Sequence, residues 1–179
     1  MEMLHSGRRG ALALTFGAIL ALSLAAPAVA ANPVRPFLGH TGGTGTIAPA
    51  TDACPFGSMF LVGEHDTGNM AHLGRVDVTM SHCAVFNFGT GVGSTTGYGS
   101  VTIIAANGDQ LLLSYTGMFT ASLSSTPPTA VGAFDWFVTG GTGQFAAATG
   151  SGEDDLTITY TPDLTGAATS SLWFGTISY

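Results

Sequence analysis

The chain has 179 residues, 45% of them apolar and 8% charged, with 26 glycines and a formal net charge of −7. That is too apolar for a disordered chain, and the glycines follow no collagen-like period. There is no lysine, and beyond residue 30 only Arg35 and Arg75 stand against ten acids. Such a balance excludes nucleic acid as a partner and charge-driven attachment to anionic lipid, because both need a basic footprint.

In chain order, residues 1–9 carry Arg8 and Arg9, residues 10–26 form an apolar run, and Ala28-Val29-Ala30 supplies a small-x-small cleavage pattern. Together these predict a signal peptide over 1–30. The run is short for a membrane span and no cationic stop-transfer cluster follows it, so no membrane attachment is expected after cleavage. The expected destination is the extracellular or periplasmic/cell-wall space, by the general secretory route; the Arg8-Arg9 pair alone does not make a twin-arginine signal. Residues 31–41 read as a flexible segment and 42–179 as one domain, of a length that buries its own core.

After Phe37 the chain alternates runs of β-formers with Gly, Asn-Gly or Pro. Cys54 and Cys83 form an even pair in an exported chain and predict a disulfide. Closing the loop between them stabilises the fold by roughly 3–4 kcal/mol on a chain-entropy argument. Asn107-Gly108, flanked by β runs, marks a hairpin. Pro127-Pro128 marks another turn, as does Gly140-Gly141-Thr142-Gly143. On residues 155–161, Leu156, Ile158 and Tyr160 alternate with threonines, the pattern of a half-buried strand. Eight strands result, near 43–48, 57–65, 72–83, 98–106, 110–121, 131–139, 144–159 (bent near Gly150 and Gly152) and 171–178. No helical period appears outside the signal. An even number of short strands joined by hairpins predicts a single eight-stranded antiparallel up-and-down β-barrel, with a β-sandwich as the alternative.

Three stretches carry a family resemblance: Ala71-His72-Leu73-Gly74-Arg75, the run from Ala105 through Asn107-Gly108-Asp109 to Leu111, and Gly140-Gly141-Thr142-Gly143-Gln144-Phe145. Their order and spacing resemble secreted bacterial proteins of unassigned function with an allene-oxide-cyclase-like barrel. The third is also similar to the Gly-Gly-Thr-Gly-x-Phe segment of plant dirigent proteins, which share that barrel. Dirigent-like segments commonly carry Arg where this chain has Gln144, and the acids and arginine those proteins use on substrate have no counterpart here. The resemblance implies the barrel, and a structural turn at Gly140, Gly141 and Gly143, but no catalytic residue. A phosphate loop is not expected there, because no helix or lysine follows.

Residues 72–83 read as one strand whose even positions, His72, Val76, Val78, Met80 and His82, form the apolar face. Either histidine could look into a barrel mouth, where imidazole suits proton transfer near neutral pH. The ordinary alternative is a histidine satisfied by backbone or water. Arg75 and Asp77 on the other face read as a solvated ion pair. Tyr115, Phe119, Phe134, Trp136 and Phe174 fall in phase with core positions and are read first of all as core; Tyr115, Phe119, Trp136 and Phe174, with His72 and His82, make up the candidate ligand-facing set. Glu64-His65-Asp66 meets no zinc spacing, and adjacent strand residues face opposite ways. Glu153-Asp154-Asp155 reads as a solvated acidic turn. No metal or cofactor is expected.

Two functions remain open at this level. One is a non-catalytic secreted barrel that binds a small apolar ligand; it leaves homo-oligomerisation open. The other is a cyclase or isomerase acting on an apolar small molecule. A cavity above about 300 Å³ with a His or carboxylate in its wall favours ligand or substrate, and a filled lumen excludes both.

Overall fold

A computed structural model describes residues 32–179; the signal peptide expected over 1–30 lies outside them. The described residues form nine antiparallel strands: β1 (Val34–Pro49), β2 (Phe60–Met70), β3 (Gly74–Asn87), β4 (Val92–Thr95), β5 (Gly99–Ile104), β6 (Gln110–Ser122), β7 (Thr129–Gly141), β8 (Thr149–Tyr160) and β9 (Gly166–Ser178). Apart from β4 and β5, each strand pairs with its neighbour in sequence, and β9 pairs with β1 from Val34↔Ser178 to Thr46↔Gly166, which closes the sheet. Both β4 and β5 lie between β3 and β6, one at each end. They act as one stave broken at 96–98, so the wall has eight staves. The fold is a closed up-and-down barrel, and the sandwich is excluded.

The barrel closes earlier in the chain than the sequence suggests. Residues 31–41 are expected to be flexible, but β1 begins at Val34 and Phe37 is completely buried. Without those first residues β9 would present an open edge. The six inward positions of β1 are Phe37, Gly39, Thr41, Gly43, Gly45 and Ile47, too rich in glycine to register as an apolar alternation. A Cβ on Gly43 would lie 2.6 Å from Asp66 Oδ1 and 2.7 Å from Asp66 Cα, so glycine there is what admits an acid from β2 into the lumen.

One end of the barrel is filled. Phe37, Leu73, Val76, Val78, Ile103, Leu111, Trp136 and Ile177 pack there. Phe145, carried on a single 3-10 turn (Gly143–Phe145), closes that end against Tyr179. Gly140 and Gly141 are not in the expected turn but end β7 opposite Leu112 and Leu111. Gly143 opens the 3-10 turn, and β8 starts at Thr149 rather than at 144, because Phe145 is turned inward to form the plug. Gly143 is left-handed, with φ 54°, and Asp109 leaves no room for a side chain on it. The Asp109 carboxylate accepts the Gln144 N–H at 3.0 Å.

Cys54 and Cys83 form the expected disulfide, with Cα atoms 5.7 Å apart. It ties the loop between β1 and β2 to the outer face of β3 at the opposite, unfilled end. The same loop donates Met59 N–H to Ala84 O at 2.8 Å. Reduction is expected to lower stability by roughly 3–4 kcal/mol, read as a drop in the urea midpoint with dithiothreitol present. An unchanged midpoint would show that the loop is held without the bond.

Candidate functional site

The lumen has three layers along the barrel axis. Beyond the apolar plug lies a polar layer built on Asp66, which is completely buried. Thr41 donates its hydroxyl to Asp66 Oδ2 at 3.2 Å and Thr169 donates to Oδ1 at 2.7 Å. Trp173 Nε1–H in turn donates to Thr41 Oγ1 at 3.1 Å. Three strands, β1, β2 and β9, are thereby joined through one carboxylate. Asp154 enters from β8 and accepts the Ser171 hydroxyl on Oδ2 at 3.2 Å, while its Oδ1 has no partner.

Glu64, one inward position further along β2, is also buried, and its Oε2 has no partner. Burial, with the Asp66 charge added, pushes the Glu64 pKa up to about 7. Burial also pushes Asp154 up to about 8, helped by Glu64 and Asp66 and opposed by the Ser171 hydrogen bond. Three acids in one lumen cannot all ionise cheaply, and two of them keep their protons at or near neutral pH.

Beside Glu64 stands His82, whose Nδ1 lies 2.6 Å from Tyr115 Oη. Burial holds the imidazole neutral, with its pKa lowered to about 4, and pushes the Tyr115 phenol well up. The imidazole is the stronger base of the two, so the phenol donates to Nδ1 and the ring proton sits on Nε2. Gly99 leaves space for the pair: a Cβ there would lie 2.9 Å from the His82 Cβ.

The third layer is empty. A cavity of about 340 Å³ opens at the unfilled mouth, lined by Ile47, Phe60, Val62, Phe86, Phe119 and Tyr160 among others. Phe86 and Phe119 stack with their rings 5.8 Å apart. Ile47, Val62, Phe119 and Tyr160 also border a deeper void of about 40 Å³ whose wall includes Glu64, His82, Phe134 and Thr169. The result is an apolar cup with a polar floor.

Of the six residues expected to face a ligand, His82 borders the deeper void and Phe119 borders both cavities. Tyr115 reaches the floor through His82. Trp136 is inside but belongs to the filled end, packed 4.8 Å from Phe37. Two expectations are corrected. His72 is exposed in the turn between β2 and β3, at φ 67°, because the strand starts only at Gly74. Phe174 lies on the outer face, in a shallow groove with Tyr98 and Phe137, since Ser171 and Trp173 take the inward positions of β9.

The acids were the residues that sequence reasoning missed. Glu153-Asp154-Asp155 is no solvated turn; it lies within β8 with Asp154 inward. The signal was available, because Asp154 continues the inward series Leu156, Ile158 and Tyr160 by two. Asp77, read as a partner of Arg75, is instead held by His65 Nε2 at 3.1 Å on the outer face. Among the described residues no group of three or more His, Cys, Asp or Glu side chains is arranged to hold a metal ion.

Fold and site together define an all-β protein whose closed barrel is plugged at one end and hollow at the other. No protein family matches the chain, and no curated protein or solved structure is significantly similar to it.

Proposed function

We propose that this is a secreted, non-catalytic barrel that binds a small, largely apolar molecule in its open end. The observation that carries this reading is the cup of about 340 Å³ with Glu64 and His82 at its floor. It falls in the size range of small-molecule sites, and its walls are apolar with a few convergent polar groups. Export by the signal peptide and the likeness to allene-oxide-cyclase and dirigent-like barrels belong to the same proposal.

A second reading, a cyclase or isomerase on an apolar substrate, is supported by one feature. Glu64 holds a proton near neutral pH within the wall of the deeper void that His82 shares. A carboxyl in that state serves as a general acid, and an enclosing cup restrains a flexible chain. Fold analogy adds little, since one barrel hosts many functions.

Fluorescence titration with the neutral dye N-phenyl-1-naphthylamine tests the binding reading. Saturable enhancement is expected with wild-type protein, and its loss in Ala84→Trp, which places an indole in the cup wall. Equal binding by a folded Ala84→Trp would move the dye site elsewhere and defeat the assignment.

A further inference from the structure

The floor of the cup holds information about what the ligand's head group must be. Glu64 is 6% exposed and borders the deeper void, and its Oε2 lacks a partner. A buried carboxylate oxygen left unpaired is costly, so it marks a place where a donor from outside the chain would be held. The void of about 40 Å³ takes a small head group and no more.

The surroundings choose the sign of that head group. Glu64, Asp66 and Asp154 all turn inward, and among the described residues no arginine meets them. Arg35 lies over the Tyr179 ring at 4.8 Å, at the plugged end, and Arg75 is exposed at the start of β3. His82 is neutral at physiological pH. An anionic head group would meet three carboxyls and no counter-charge. A cationic one would gain a charge-assisted hydrogen bond to Glu64 and attraction from Asp66. The walls agree: Phe119, Phe134 and Tyr160 border the void, and aromatic rings attract cations as well as apolar chains. The acidic chain as a whole raises the local concentration of cations near it.

We propose that the molecule this cup accepts is a lipophilic primary or secondary amine, bound as the cation. Its ammonium group donates to Glu64 in the deeper void, and its apolar body lies among Phe60, Phe86, Phe119 and Tyr160. The inference rests on the reading of the cup as a binding site. It specifies the chemistry of the occupant: a terminal nitrogen that carries hydrogens, and an uncharged body small enough for the cup.

Isothermal titration calorimetry of the native protein at pH 7 with octylamine, 1-octanol and octanoate separates the alternatives. Octylamine is expected to bind at least ~10-fold more tightly than 1-octanol, the difference that a charge-assisted hydrogen bond makes, with octanoate weakest of the three. In Glu64→Gln the amine should fall to the affinity of the alcohol while the alcohol is unchanged. The wild-type protein supplies an independent readout: at pH 7 Glu64 is about half protonated, so amine binding that ionises it releases about half a proton and the measured heat depends on the ionisation enthalpy of the buffer. Alcohol or octanoate binding as tightly as the amine, or amine binding without proton release, overturns the amine assignment and leaves the cup standing. Failure of all three to bind overturns the cup itself.

Discussion

Asp154→Asn is expected to raise the melting temperature at pH 8 by on the order of 10 °C and to leave it nearly unchanged at pH 4.5. In the unfolded chain Glu64 and Asp154 lose their protons near pH 4, whereas in the barrel they hold them to about 7 and about 8. Between those limits the native state binds more protons than the unfolded chain, so stability falls as pH rises. The fall is roughly 1.4 kcal/mol per pH unit for each group. His82 works in the opposite direction: its ordinary pKa of 6.5 drops to about 4 in the barrel, so its contribution rises with pH between those values. The acids are thus partly offset below pH 6.5 and unopposed from there to about pH 8. Asparagine cannot ionise, and its side-chain oxygen still accepts the Ser171 hydroxyl. Thermal melts of both proteins from pH 4.5 to 8.5 test this. A constant offset across that range would mean that Asp154 is not a buried acid with a raised pKa.

Gly43→Val should be strongly destabilising, with a loss of about 3 kcal/mol or more. The added Cβ would lie 2.6 Å from Asp66 Oδ1 and 2.7 Å from Asp66 Cα, and backbone in a closed barrel cannot move aside without opening the β1–β2 ladder. Displacing Asp66 also breaks the hydroxyl contacts from Thr41 and Thr169 and leaves a fully buried acid without donors. Gly63→Ala is the control. Its Cβ would meet only Thr46 Oγ1 at 3.4 Å, an ordinary contact, so that variant should melt within a few degrees of wild type. Comparable melts for the Gly43 and Gly63 variants would refute the tight fit around Asp66.

The barrel was legible because its strands announce themselves by period two. Leu156, Ile158 and Tyr160 keep one face of β8, and Phe134, Trp136 and Val138 keep one face of β7. The Asn107-Gly108 turn fell where it was expected, as did the pairing of Cys54 with Cys83, while the turn expected at Gly140 to Gly143 begins only after Gly141. What escaped was the inward face wherever it is not apolar. On β1 that face is half glycine, on β2 it carries Glu64 and Asp66, and on β9 it carries Thr169 and Ser171 before Trp173. Hydrophobic alternation reads an acid as solvent-facing, and only tertiary closure shows that this barrel has a polar middle. The placing of Phe174 in phase with the core failed for the same reason. The inward face of β9 holds a serine there, and the outward-facing Leu172 and Phe174 imitate a core. His72 failed on a boundary, two residues short of where β3 begins.

The most direct measurement is a crystal structure of the protein grown with N-phenyl-1-naphthylamine. The dye is expected in the open end of the barrel, its rings against Phe86, Phe119 and Tyr160, with the plugged end unchanged around Phe145. A cup closed by its own side chains, with dye held only on the outer groove at Tyr98, Phe137 and Phe174, would contradict the account.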